Sequence, residues 1–187
     1  MFKDSAKEFQ NPRAVAMTSL LIAIHTILAF FVSIQLSDSL RISVSFICKV
    51  VIGAFYGPVV GFVSGGLCDI IQFIIKPMGA FNPGLTLNAA LAGLIYGLFF
   101  YKKFPQKNAA LKADWGFLLR CILCISTETV IVNMLLGTFW LSKLIGTPFW
   151  VMFGPRAIKN LIQLPINIFL TYYVLYFMKK IYNHMRN

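Results

Sequence analysis

From Ala14 to Gln35 the chain carries no Asp, Glu, Lys or Arg, and further apolar stretches follow it almost to the C-terminus. About 20 such residues in a helix cross the hydrocarbon core of a bilayer. There the backbone must satisfy its own hydrogen bonds, which a helix does internally. The expectation is therefore an all-α, polytopic membrane protein. The 187 residues are 58% hydrophobic and 12% charged, with a mean hydropathy of +0.76. That length holds about six spans with short connections. Residues 1–187 thus read as a single membrane-embedded domain. The segment before Ala14 is polar, and the run after it is too long for a signal-peptide core, so the first span reads as retained.

Glycine and proline mark the breaks. The spans read as Ala14–Gln35, Ile42–Tyr56, Val59–Ile75, Gly84–Tyr101, Trp115–Thr138 and Ala157–Met178. Gly57-Pro58 separates the second from the third, because proline cannot continue a helix interior. Leu141 to Pro155 reads as the last loop, with Gly146, Pro148, Gly154 and Pro155 interrupting it.

The net charge of +11 invites a nucleic-acid partner, but the basic residues do not form one patch. Lys3, Lys7 and Arg13 precede the first span; Lys102, Lys103, Lys107 and Lys112 lie between the fourth and fifth; Lys179, Lys180 and Arg186 follow the sixth. With six spans all three groups fall on one side, which the positive-inside rule makes the cytoplasm, together with both termini. Membrane topology thus accounts for the charge, and no nucleic acid is implied.

Gly53, Gly57, Gly61 and Gly65 recur every fourth residue, and Gly93 and Gly97 repeat the spacing. Small residues at this interval let helix backbones approach closely in lipid, so the pattern reads as packing. Cys48, Cys68, Cys121 and Cys124 all lie in apolar runs and read as buried small hydrophobes. The Cys121/Cys124 pair has CxxC spacing without a second pair or a nearby histidine, so no metal or cofactor is implied. There is no GxxxxGK[ST] loop for ATP, and His25 and His184 lack a nucleophile or metal partner; an enzyme is not indicated.

Arg156, Lys159, Asn160, Gln163 and Asn167 fall near one face of the last span. An arginine or lysine at a helix centre costs about 2.5–3.5 kcal/mol on translocon scales. Such groups are expected to face a cavity, a partner group or the water boundary, and they mark the candidate site. Pro155 places the start of the helix near Arg156, whose guanidinium would then sit at the positive end of the helix dipole. Asp69 and Glu128 are the acids within the spans; Lys49, on the adjoining antiparallel span, is the expected partner of Asp69. A structural ion pair and acceptance of ligand N–H groups by Asp69 are both open readings. Arg41, Lys76 and Lys143 read as interfacial anchors that also make the outer mouth positive, which suits an anionic ligand. Trp140, Phe149, Trp150 and Phe153 serve either an aromatic belt or stacking on a flat heterocycle.

Several strings resemble the substrate-binding S component of energy-coupling factor vitamin transporters, the folate-specific branch in particular. They are Leu40-Arg41-Ile42-Ser43, Tyr56-Gly57-Pro58, Phe81-Asn82-Pro83-Gly84-Leu85-Thr86-Leu87, Ala92-Gly93-Leu94-Ile95-Tyr96-Gly97, Trp140-Leu141, Thr147-Pro148-Phe149-Trp150 and Pro155-Arg156-Ala157-Ile158-Lys159-Asn160. They cover nearly the whole chain in the family's order. The resemblance implies six membrane helices that capture a vitamin on the outer face of the bacterial cytoplasmic membrane. It also implies a separate transmembrane scaffold subunit and two ABC ATPases that drive uptake. Carried onto this chain, the substrate-binding set is Arg156, Lys159, Asn160, Asp69, Asn82, Thr86, Trp150 and Arg41. Ser19 and Ala23 match the small residues that contact the scaffold. Two strings depart from the pattern: Cys48-Lys49 stands where apolar residues or proline are expected, and Gly137-Thr138 where asparagine-threonine is typical.

The favoured function is thus a folate-binding subunit of an importer. An S component for riboflavin or thiamine is the alternative, separable by the ligand that co-purifies. A small membrane enzyme on an anionic lipid would need a metal-binding carboxylate cluster, for which Asp69 and Glu128 are too sparse. A structural subunit would bind no small molecule.

Overall fold

The computed structural model describes the backbone of residues 1–31, 34–37, 40–42, 44–77, 80–102 and 115–185, with the side chains of 34–37, 40–42 and 179–185 outside the description. Helix α1 (Phe2–Lys7) and a short 3-10 turn (Glu8–Gln10) lead into α2 (Pro12–Phe31). A hairpin of β1 (Ile34–Ser37) and β2 (Leu40–Ile42) follows, then α3 (Phe46–Ile75) and α4 (Pro83–Phe100). Helix α5 (Trp115–Glu128) continues through a π-helical segment (Thr129–Leu136) into α6 (Gly137–Ile145), and α7 (Phe149–Met185) ends the chain. Among the described residues, five stretches are long and apolar enough to cross a membrane: Pro12–Phe31, Phe46–Ile75, Pro83–Phe100, Trp115–Ile145 and Phe149–Met178. The protein is a helical, multi-pass membrane protein, with the small β-hairpin as its departure from an all-α description.

The second and third expected spans both lie within α3, which is broken at Gly57. Gly57 has φ 90° and ψ −176°, a conformation open to glycine and strained for other residues. Pro58 then disfavours helical geometry at the residue before it and suits the first position of a new helix. A Cβ built on Gly61 would lie 3.4 Å from the Gly53 Cα. Eight residues along a continuous helix would separate the two by about 12 Å. The chain therefore turns back on itself at Gly57-Pro58, and the two halves of α3 pack as antiparallel helices.

The break leaves the first N–H groups of the second half without intrahelical partners, and α1 supplies one. Ser5, fully buried, accepts from Val59 N at 3.1 Å and Val60 N at 3.3 Å, while its hydroxyl donates to the Tyr56 carbonyl at 2.7 Å. An N-cap thus comes from a separate helix. Asp4 on α1 pairs with Lys102 just beyond α4, and with the N-terminal ammonium at 3.2 Å.

The expected glycine packing is realised between α3 and α4. A Cβ on Gly53 would stand 2.8 Å from the Gly97 nitrogen, and one on Gly61 or Gly93 would overlap the carbonyl of the other. Beside this seam the core gathers Val50, Ala54, Ala92, Tyr96, Phe100, Cys121, Cys124, Ile125, Val132 and Leu175. All four cysteines are free and buried.

The last two spans differ from expectation. Helix α6 carries the fifth span on to Ile145, and Gly146, at φ 77°, ends it in the left-handed conformation common after helices. Helix α7 starts at Phe149, directly after Pro148, with Pro155 and Pro165 inside it. The loop expected from Leu141 to Pro155 shrinks to Gly146–Pro148, and Pro148 is the proline that starts the helix. Arg156 consequently sits two turns inside α7, so the helix-dipole argument made for it does not hold.

Candidate functional site

Burial along α7 separates two faces. Ile158, Leu161, Ile162, Ile166 and Phe169 are exposed on the apolar side, whereas Arg156, Lys159, Gln163 and Asn167 are partly buried and Asn160 is buried. All five residues of the polar stripe line one cavity of ≈250 Å³. Its other walls come from α2 (His25), α3 (Ser45 just before it, Phe46, Lys49, Asp69, Gln72), α4 (Ala92, Tyr96) and the α5–π junction (Glu128, Thr129, Asn133). A second cavity of ≈210 Å³ adjoins it and shares Asp69 and Gln72. Thr26, Phe30, Phe73, Lys76, Phe81, Asn82 and Leu144 are among its walls.

The two acids are held by neutral donors. Asp69 Oδ2 accepts from Thr86 Oγ1 at 2.8 Å. The ion pair expected between Lys49 and Asp69 is not formed, although both face the same cavity. Threonine reaches Asp69 from α4 because the glycine seam brings the two helices close. Glu128 accepts from Asn133 Nδ2 at 2.9 Å and Thr129 Oγ1 at 3.5 Å. The Glu128–Asn133 spacing of five residues fits the wider π turn, and such segments recur at functional sites. Arg156 Nη2 donates to the Asn133 carbonyl at 3.4 Å. Asn160 Nδ2 is buried without a hydrogen-bond partner among the described residues and stands in the lining.

The expected site residues thus divide. Arg156, Lys159, Asn160 and Asp69 come together around the larger cavity, and Thr86 joins them through Asp69. Asn82 lines the smaller cavity, but it also caps α4 by accepting from Gly84 N at 2.9 Å and donates to the Trp140 carbonyl at 3.3 Å. Trp150 is 79% exposed beside Phe149 and Phe153 and lines neither cavity. Arg41 lies in β2 with its side chain outside the described residues. Lys76 lines the smaller cavity, whereas Lys143 sits in the last turn of α6 over the Phe139 ring at 4.6 Å. Ser19 and Ala23 are exposed on α2, Ser19 at the edge of a groove against α3 that Ala14 and Thr18 also line.

Sequence reasoning missed His25, Gln72 and Asn133. His25 Nδ1 lies 3.3 Å from Gln72 Nε2, and both face the larger cavity. His25 shares the buried face of α2 with Thr18 at helical spacing, which was the available signal. Asn133 gave none, because its distance from Glu128 matches a π turn rather than an α turn. The described residues contain no group of His, Cys, Asp and Glu able to hold a metal ion.

Several known proteins are similar to this chain in sequence and fold. The sequence profile described as "ECF transporter, substrate-specific component" matches residues 13–175. The folate transporter FolT of Clostridium novyi (strain NT) is 33% identical over 152 residues, covering 81% of each chain. FolT of Streptococcus mutans serotype c is 32% identical over 173 residues, covering 87% of each. A crystal structure of FolT bound with folic acid superposes with a TM-score of 0.76 at 32% identity, covering 88% of this chain and 93% of that one. The chain belongs to the family of substrate-specific components of ECF transporters, which makes it a transporter subunit and not an enzyme.

Proposed function

We propose that the chain is the folate-binding subunit of an energy-coupling factor importer, capturing its vitamin in the paired cavities beside α7. The observation that carries this reading is the convergence of Arg156, Lys159, Asn160, Gln163 and Asn167 with Asp69 on one chamber. Folate is long, with a flat pteridine at one end and a glutamate bearing two carboxylates at the other. Two chambers in series, meeting at Asp69 and Gln72, suit that shape. Arg156 and Lys159 supply the positive charge a dianionic tail needs, and guanidinium can hold a carboxylate by two parallel bonds. Asp69, on the wall that the two chambers share, is an acceptor for the amino and ring N–H groups of a pteridine seated on the side of the smaller chamber. The relatives named for folate transport support the choice of vitamin.

In this reading α3 crosses the bacterial cytoplasmic membrane twice, giving six crossings with both termini in the cytoplasm and the cavities open outward. Ser19 and Ala23, exposed on α2, face the transmembrane scaffold, which two ABC ATPases drive. Isothermal titration of the detergent-purified protein with folate, riboflavin and thiamine tests the ligand. Saturable binding of folate alone is expected, and binding of riboflavin or thiamine in its place would refute it. Liposomes holding only this chain and internal ATP should accumulate no folate. Cysteines placed at Lys107 and Ala80 should label from the cytoplasmic and the outer side respectively.

A further inference from the structure

Helix α5 passes into α6 through the π segment Thr129–Leu136, and Gly137 closes it by donating its N–H to the Val132 carbonyl. Gly137 is buried, and the atoms around it are unusual for a helix interior. A Cβ built there would stand 3.2 Å from Arg156 Nη2, 3.0 Å from the Val132 carbonyl oxygen and 3.8 Å from Asn88 Nδ2. The guanidinium therefore lies against bare helix backbone, close enough that any side chain at 137 would crowd it. In this position Nη2 reaches the Asn133 carbonyl at 3.4 Å, near the outer limit for a hydrogen bond.

We propose that Gly137 is a positioning residue, whose missing side chain seats the Arg156 guanidinium against the π segment and so sets how an anionic ligand is held. The proposal takes its ligand from the folate reading above. A methyl group at 137 forces something to give. The Val132 carbonyl is locked in the helix, whereas Arg156 is long and flexible, so the guanidinium is what moves, leaving Asn133 and advancing into the cavity. This gives a role to the glycine that stands where the family resemblance led to an asparagine.

The test is a double-mutant cycle of Gly137→Ala with Arg156→Lys, whose ammonium ends short of the Nη2 position. Two quantities are read: folate affinity by calorimetry, and the thermal midpoint of the ligand-free protein. Gly137→Ala alone should weaken folate binding about tenfold, the coupling expected of directly contacting neighbours. In the Arg156→Lys background the same change should shift affinity less than about twofold, because the shorter side chain no longer meets the added methyl, while the Val132 contact, common to both backgrounds, drops out of the difference between them. The midpoint should fall with Gly137→Ala and fall less when Lys replaces Arg156. Equal losses in both backgrounds would reduce Gly137 to a packing residue and overturn the proposal, as would unchanged affinity in the single variant. If Gly137→Ala does not fold, the double variant should recover folded protein, and failure to recover it also overturns the proposal. If the unaltered protein binds no folate, the folate reading fails, while the ligand-free melting cycle still decides the role of Gly137.

Discussion

Helices α3 and α4 meet in two different ways along their length. Near Gly57 they touch backbone to backbone, through Gly53, Gly61, Gly93 and Gly97, with Ser5 closing the break from outside. Beyond Gly65 α3 contributes Asp69 and Gln72 to a polar chamber, and α4 contributes Thr86, which holds the Asp69 carboxylate. At the first end side chains are removed so that dispersion contacts can form without a hydrophobic drive between helices in lipid. At the second, polar side chains hold space open, and their desolvation is offset by hydrogen bonds such as Thr86 to Asp69. Stability is concentrated at one end and recognition at the other, and variants should separate the two.

The largest effect is expected from Gly93→Val. Its side chain would overlap the Gly61 carbonyl, which neither backbone can yield. Overpacking a core costs about 1–3 kcal/mol and more where backbone is the obstacle, so no monodisperse protein should survive size-exclusion chromatography in detergent. Gly116→Ala, with nothing within 4 Å of the added carbon, is the control and should melt at or above the unaltered temperature. Loss of folded protein in both variants would remove the seam as the explanation.

Next comes Arg156→Ala, at the other end. Truncating one partner of a desolvated charged hydrogen bond costs about 2–5 kcal/mol, or roughly 30- to 4,000-fold in affinity. Calorimetry should show that loss for folate, a much smaller one for a pteridine without the glutamate tail, and a ligand-free melting temperature close to the unaltered value. Equal losses for both ligands would assign Arg156 to the ring instead of the tail.

Ser5→Ala should do the opposite. It strands the Val59 and Val60 N–H groups and the Tyr56 carbonyl, at about 1–3 kcal/mol for a buried unsatisfied group. The melting temperature should drop while folate affinity stays within about twofold, since the serine is remote from both cavities. A selective loss of affinity would show that the two ends are coupled.

The smallest effect concerns pH. Lys102, hydrogen-bonded to Asp4, and then the N-terminal ammonium hold the Asp4 carboxyl below its ordinary value of 3.8, while the same carboxylate raises Lys102. A carboxyl depressed in the folded state adds stability that is present above its unfolded value and lost as pH falls through its folded one. For Lys102 the sign reverses: its share is present below its unfolded value of 10.5 and lost as pH rises through the raised one. Both side chains are about half exposed, so solvent screens the pair and the contribution is minor. Asp4→Asn should flatten the small acid-side decline of the melting temperature below about pH 4 and leave ligand binding untouched.

Much of this division was legible in the chain. Glycines four apart pointed to a close helix seam, and Gly57-Pro58 located the reversal, because both signals depend on local sterics. The polar stripe of α7 was readable from its spacing, since charged groups in an apolar span need a cavity or partner whatever the fold. Sequence did not show that Pro148, not Pro155, opens α7. Both prolines can start a helix, and only the packing of the preceding turn against α6 distinguishes them. It gave Asp69 the wrong partner, since Lys49 is a natural choice by charge, while Thr86 wins by proximity across the seam. Asn133 and Gly137 were invisible as site residues because a π turn changes which positions share a face, and that change follows from contacts with α4 and α7. Local rules of length, spacing and breakers therefore determined the spans and the polar face. Which polar groups meet was decided by tertiary packing, because hydrogen bonds act over about 3 Å and helix register is set only when the neighbours are in place.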